Sequence, residues 1–313
     1  MSRPEIYDEV AYCYDGTLEG LLSAIFASYR NKENPVDVHS SDDVQPRLFE
    51  RVAYIDTNIE HAERVMNGLV RACGKDSFAA VCKASLSSDP SAPLAAYRFA
   101  RFAMDEHRAR SCAGCKRAAS CSSAYDLRRY CPRLKGHALS NIAHPDVAGL
   151  FAVTRSVDNE CEHVRQFARF EHVAAQGKRL WLARCAPRDA VTPLVMGHFA
   201  RRFGSEPFVL LDETHGETGI WDGRAWQLVK ASGASIDDAL QDRDGDELLM
   251  QRAWRNFYRS TSNDARYHPE LRVKFMPKRF WGRLTELGDE IAEGKLESPR
   301  PSLLHEQARR AAP

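Results

Sequence analysis

Several familiar signals are missing from this chain of 313 residues. No stretch approaches the roughly 20 apolar residues that a membrane-spanning helix needs, so no membrane partner is expected. The opening Met1-Ser2-Arg3-Pro4-Glu5 has no apolar core and carries an acid early, unlike a secretory leader, which points to a cytoplasmic protein. Neither Gly-x4-Gly-Lys-Ser/Thr nor Gly-x-Gly-x2-Gly occurs, which removes the usual support for phosphoryl transfer on a P-loop and for dinucleotide binding. Gly-x-Ser-x-Gly is absent, no His-x3-His zinc pair is present, and no internal repeat is visible. An excess of one charge is missing too, since 44 Lys and Arg face 43 Asp and Glu.

What is present reads as a folded chain of one large domain or two ordinary ones, with 43% hydrophobic and 28% charged residues. The near-zero net charge hides an uneven distribution. Residues 1–60 carry 12 acids against 5 bases, whereas residues 251–283 carry 9 bases against 2 acids. Such asymmetry gives a neutral protein a basic surface able to hold an anionic partner, unless the acidic and basic parts simply face each other.

Apolar periodicity indicates an α+β fold with a helix-rich N-terminal part. Val10 to Tyr14 is a short β-prone run closed by the Asp15-Gly16 turn, and Leu18, Leu21, Leu22, Ile25, Phe26 and Tyr29 then form one helical stripe. Ile59, Ala62, Met66, Leu69, Val70 and Cys73 repeat that pattern. A third helix is expected over about 75–85, and a fourth after the break at 88–93, with Pro93 in its first turn. Strands are expected over His163–Val173 and Leu180–Cys185, then a helix from Thr192 to Phe203, then strands from Pro207 and from Gly219, a ββαββ unit. The expected organisation is 1–107 strand plus helices, 108–146 a Cys-rich metal-binding insert, 147–231 the ββαββ unit, 232–297 a linker and basic aromatic helices, and 298–313 a flexible tail.

From Trp254 to Arg283, cations and rings interleave. Arg255, Arg259, Arg266, Arg272, Lys274, Lys278 and Arg279 lie among Phe257, Tyr258, Tyr267, Phe275, Phe280 and Trp281. Phosphates attract the cations and unpaired bases stack on the rings, so this texture suits single-stranded DNA or an extruded base. The plainer reading makes the aromatics core and the cations a solvated helical face. The segment also resembles the C-terminal signature of the probable DNA metabolism proteins, domain of unknown function 4130. The resemblance rests on Trp254-Arg255, Phe257, Arg259-Ser260, Arg266, Pro269, Leu271 and Met276-Pro277-Lys278-Arg279-Phe280-Trp281. Upstream, Tyr14-Asp15-Gly16-Thr17-Leu18-Glu19-Gly20 is similar to that family's opening motif, and Pro193-Leu194, His198-Phe199, Arg202-Phe203 and Asp212 are similar to its middle motif. Two positions depart from it: His268 stands where Asn is usual, and Arg272 where Gln is common. The resemblance implies DNA repair or modification beside a radical-S-adenosylmethionine protein or a uracil-DNA glycosylase. It carries over no catalytic residue.

Nine cysteines with no leader argue against a disulfide framework. Cys13, Cys73, Cys82, Cys161 and Cys185 sit among apolar neighbours and read as buried small hydrophobes. Cys112-x2-Cys115-x5-Cys121-x9-Cys131-Pro132 is a complete set of four soft ligands. The spacing resembles the iron–sulfur loop of some base-excision glycosylases and DNA nucleases, so a 4Fe–4S cluster is the expectation and zinc the alternative. Cys112-x2-Cys115 lacks the x3-Cys-x2-Cys form of a radical-S-adenosylmethionine core, so this chain is expected to be the partner of such an enzyme. For a DNA-processing enzyme, a glycosylase or nuclease, the catalytic candidates are Asp15, Glu171, His198 and Asp212, with helix capping the competing role of Asp15 and core packing that of His198.

Overall fold

The computed structural model describes residues 9–40, 50–109, 137–175, 178–230, 241–243, 245–263 and 268–292. The chain divides into two compact units, 1–157 and 158–313, and its fold is mixed α+β. Among the described residues no helix is long and apolar enough to cross a membrane.

The first unit is built on three parallel strands, β1 (Glu9–Cys13), β2 (Asp37–His39) and β3 (Glu50–Tyr54), ordered β2-β1-β3. Ala11, Tyr12 and Cys13 are consecutive and buried, the mark of a parallel strand covered on both faces. Helix α1 (Leu18–Asn31) starts where the Thr17 hydroxyl accepts the Gly20 N–H at 2.9 Å. Helix α2 (Ile59–Cys73) buries Ala62, Val65, Leu69 and Cys73 on one stripe, and Asn58 caps it. Helices α3 (Lys75–Ala84) and α4 (Ala92–Ala109) complete the expected series and pack into one core around Leu21, Ile25, Leu69, Tyr97 and Phe99. The single expected strand is thus the centre of a small sheet. β2 is only three residues long with one buried apolar side chain, Val38, so it leaves almost no periodic trace.

After a short helical turn, α5 (His137–Ser140), the long helix α6 (Pro145–Phe167) runs through the boundary at 157. The strand expected from His163 is therefore helix as far as Phe167. Val153, Val157, Cys161 and Val164 lie buried at helical spacing among charged neighbours.

The second unit holds a six-stranded sheet ordered β8-β7-β6-β5-β4-β9. Its strands are β4 (Phe170–Ala175), β5 (Lys178–Cys185), β6 (Phe208–Asp212), β7 (Glu217–Trp221), β8 (Trp226–Lys230) and β9 (Gln241–Arg243). Helix α7 (Thr192–Phe203) makes the crossover between the parallel pair β5 and β6, and every other pairing is antiparallel. The strand-like run from Gly219 to Val229 is the hairpin β7–β8, turned at Asp222-Gly223, and an edge strand, β9, lies inside what reads in the sequence as a linker. Phe199, Phe203 and Phe208 pack edge-on or tilted around Phe170 with ring centroids 4.6 to 5.6 Å apart, joining α7 to the sheet. Helices α8 (Gly245–Thr261) and α9 (Pro269–Phe275) follow, then two 3-10 turns, Lys278–Arg283 and Thr285–Leu287, and α10 (Gly288–Ala292). Trp281, Leu284 and Leu287 form a small core with Phe167, Met276 and Ile291.

Candidate nucleic-acid interface

The second unit contains a cleft of about 1000 Å³. Its walls come from the end of α6, strands β4 and β5, the last turn of α7, helix α8 and the first 3-10 turn. Seven arginines line it against three carboxylates, Glu171, Asp246 and Glu247, so the cleft favours an anion. Between the cations lie the rings of Phe170, Trp181, Phe203 and Trp254.

Most of these arginines are already engaged. Arg169 donates to Glu286 at 2.6 Å, and Arg283 donates to both carboxylate oxygens of Glu213 at 2.6 and 2.8 Å. Arg184 sits 4.0 Å from the same Glu213, Arg165 pairs with Glu162, and Arg179 lies 3.9 Å from Asp246. Arg202 and Arg255 differ: among the described residues neither makes a hydrogen bond or an ion pair. Two guanidinium groups facing a cleft without a carboxylate partner are available for a ligand's phosphates.

The aromatic wall is held in place. The Trp254 indole N–H donates to Glu286 at 3.1 Å while its ring remains 44% exposed. Burial alone would push the Glu286 carboxyl up. The Arg169 guanidinium, a backbone amide and the Trp254 N–H outweigh that and hold it below the usual carboxylate value. One buried acid therefore orients both a cation and a ring of the cleft.

The other expected nucleic-acid residues fall into two groups. Arg259, Lys274 and Lys278 are exposed. Arg272, Arg279 and Trp281 have partners within the fold. Arg272 donates to Glu290 at 2.6 Å and lies 3.4 Å from the Tyr258 hydroxyl. Arg279 forks onto the buried Glu160, which also accepts the Arg188 N–H at 2.8 Å. Trp281 is 1% exposed and donates to the Met276 carbonyl at 3.0 Å, so its face is closed to a base. Arg266 lies outside the described residues, as do Cys112, Cys115, Cys121 and Cys131. His268 takes the role that Asn commonly fills: its Nδ1 accepts the Leu271 N–H at 3.1 Å and caps α9.

A model of the domain of unknown function 4130 family (DUF4130) matches residues 120–286, more than half of the chain. The chain belongs to this family. The matched span covers nearly all of the cleft, so the cleft is a feature of the DUF4130 region itself. No curated protein and no solved structure matches the chain.

The four catalytic candidates of this DUF4130 chain are divided between the two units, Asp15 in the first and Glu171, His198 and Asp212 in the second. Asp15 belongs to the first unit and is exposed. It accepts the Thr17 N–H at 3.0 Å, the Thr17 hydroxyl at 2.6 Å and the Thr57 hydroxyl at 2.7 Å. These hydroxyl and amide donors hold its carboxyl below the usual range despite some burial. Thr17, not Asp15, caps α1, and Asp15 latches the β1 and β3 loops together. A Cβ on Gly20 would come within 2.2 Å of that carboxylate, so the latch needs glycine there. Glu171 lines the cleft. His198 lies on α7, where burial and the charges of Arg165, Arg201 and Arg202 hold its imidazole down.

Asp212 is fully buried at the end of β6, accepting the Thr214 and His215 N–H groups at 2.9 and 3.1 Å. Its other oxygen lies 2.7 Å from His215 Nδ1. Burial would lower His215, but the hydrogen bond and charge of Asp212, aided by Glu217 and Asp189, raise it above its ordinary value. The arrangement closes the β6–β7 turn. Among the described residues no group of three or more His, Cys, Asp or Glu could hold a metal ion.

Two cleft residues escaped the sequence reading. Arg202 and Phe203 stand out there only within the resemblance, and nothing in their spacing ties them to Trp254 and Arg255 about fifty residues later.

Proposed function

We propose that this chain is a DNA-binding accessory protein of DNA repair or modification, and that the cleft of the second unit takes single-stranded DNA or an extruded base of damaged DNA. The observation that carries the reading is the pairing of two guanidinium groups without carboxylate partners among the described residues, Arg202 and Arg255, with the fixed, half-exposed ring of Trp254. The cations meet phosphates, and rings such as Trp254 offer faces on which bases stack whatever their sequence. A cleft of about 1000 Å³ has the size of a small-ligand site, which admits a nucleotide or two and excludes a duplex about 20 Å wide. Family resemblance adds the expected partner, a radical-S-adenosylmethionine DNA-repair protein or a uracil-DNA glycosylase, to which the bound strand would be presented.

The four clustered cysteines support a 4Fe–4S cluster, or zinc, as a structural element of the same protein. Anaerobic purification with iron, sulfide and zinc analysis tests it: about four irons per chain would establish the cluster, one zinc would make the loop a folding staple, and neither would remove the metal.

Fluorescence anisotropy with a labelled single-stranded oligonucleotide and its duplex tests the cleft. Single strands should bind more tightly, and Arg202→Glu with Arg255→Glu should weaken binding at least tenfold while leaving the circular dichroism unchanged. Equal binding by the folded double variant removes the cleft from the reading. Turnover of lesion-bearing oligonucleotides by the chain alone would favour the DNA-processing enzyme instead.

A further inference from the structure

Strand β8 is the outermost strand of the six-stranded sheet, and among the described residues nothing pairs with its outer side. All five of its residues are exposed, including three large apolar ones: Trp226 at 41%, Leu228 at 39% and Val229 at 36%. The strand has no proline and no bulge, and its only charge is the terminal Lys230. An edge of this kind is an open template for another strand, and natural proteins normally blunt it.

The pairing register shows which backbone groups are open. The Asp222 N–H donates to the Ala225 carbonyl at 3.3 Å, so those two residues form a hydrogen-bonded pair at the hairpin end. Bonding alternates along an antiparallel ladder from there. Gln227, opposite Ile220, and Val229, opposite Thr218, bond inward to β7. Trp226, Leu228 and Lys230 therefore direct their N–H and C=O groups outward, six groups in all.

We infer that this edge pairs with β8 of a second copy of the chain, antiparallel, about a two-fold axis at Leu228. That register satisfies all six outward groups on each strand, because the open residues are the first, middle and last of five. A shift by two residues towards the hairpin end sets Lys230 opposite the turn residue Arg224 and leaves its two groups unmet. The side chains agree with the centred register. Leu228 faces its own counterpart, and each Trp226 faces the partner's Lys230, a ring opposite an ammonium. A shift that set Lys230 against Lys230 would oppose like charges.

The face involved is apolar as well. Leu228 stands opposite Gly219, where a Cβ would meet the Met196 side chain of α7 within 2.3 Å. Trp226 and Leu228 thus extend the face that α7 covers, and the partner's Trp226 and Leu228 would continue it across the axis. One strand per copy is a small interface, so the dimer is a concentration-dependent one.

Sedimentation velocity from low to high micromolar concentration tests the inference independently of DNA binding. The mass should climb from 35.3 kDa towards twice that value. Leu228→Pro should hold it at the monomer with unchanged circular dichroism, because the N–H it removes points away from β7 and proline is tolerated on an edge. Leu228→Lys leaves the backbone untouched and sets two ammonium groups against each other, so it should raise the dissociation constant at least tenfold even if the proline variant misfolds. A wild-type chain that stays monomeric throughout, including one that binds an extended peptide of another protein there, overturns the inference. So does a dimer indifferent to Leu228→Lys.

Discussion

Replacing Glu286 by alanine should loosen the cleft and destabilise the second unit together. The carboxylate accepts from Arg169 at 2.6 Å and from the Trp254 indole at 3.1 Å, and its own side chain is 7% exposed. Hydrogen bonds to a charged group contribute about 1.5–3 kcal/mol each. The Arg169 side chain is 33% exposed and Trp254 44% exposed, so water takes over part of both contacts once the carboxylate is gone. The net loss should be about 2 kcal/mol, which lowers Tm by roughly 4–8 °C for a domain of this size. Glu286→Gln keeps an acceptor for the indole and loses only the charge, so it should fall between. Trp254, freed from its anchor, should cost about fivefold in affinity for single-stranded DNA, less than the 1–3 kcal/mol of a deleted stacking ring. The folded carboxyl lies below its ordinary value of 4.5, so its stabilisation is complete above that value and is lost as pH falls through the lowered one. The gap in Tm between wild type and Glu286→Ala should therefore close in acid. A scanning-calorimetry and anisotropy series in which Glu286→Ala matches wild type in both Tm and affinity would refute the coupling.

Arg279→Ala should cost about 3 kcal/mol in urea denaturation, because it strands a carboxylate that the fold buries almost completely. Lost DNA affinity at full stability would instead put Arg279 on the nucleic acid. In an NMR titration His215 should titrate above its ordinary 6.5, and Asp212→Asn should drop it below, since burial then dominates. A raised folded value contributes stability below 6.5 that is lost as pH rises through it, so Asp212→Asn should be most harmful in mild acid and less so in alkali. A His215 value unmoved by Asp212→Asn would contradict that assignment.

Helices α1 and α2 of the first unit were legible because each shows its apolar stripe without interruption, as Leu18, Leu21, Leu22 and Ile25 do on α1. The parallel sheet was not, because β2 has three residues and β3, Glu-Arg-Val-Ala-Tyr, carries two charges and no clear alternation. Helix α6 carried a signal in Val153, Val157, Cys161 and Val164, but charged residues between them and the run into Phe170 blurred its end. The basic aromatic segment at 254–283 was visible as composition, yet composition does not separate a ring that faces a cleft, Trp254, from one sealed in a core, Trp281. That difference is set by Glu286, Met276 and the turn between them. The cleft itself is assembled from α6, β4, β5, α7 and α8, and contacts between segments so far apart leave no local pattern.

The most direct test of the central claim is the salt dependence of single-stranded DNA binding by wild type and by Arg202→Glu with Arg255→Glu. Each phosphate contact on a single strand contributes about 0.7 to the slope of log affinity against log salt. The double variant should bind more weakly at low salt, with a slope shallower by about 1.4. Parallel slopes and equal affinities, or no salt-dependent binding by the wild type, would contradict the account.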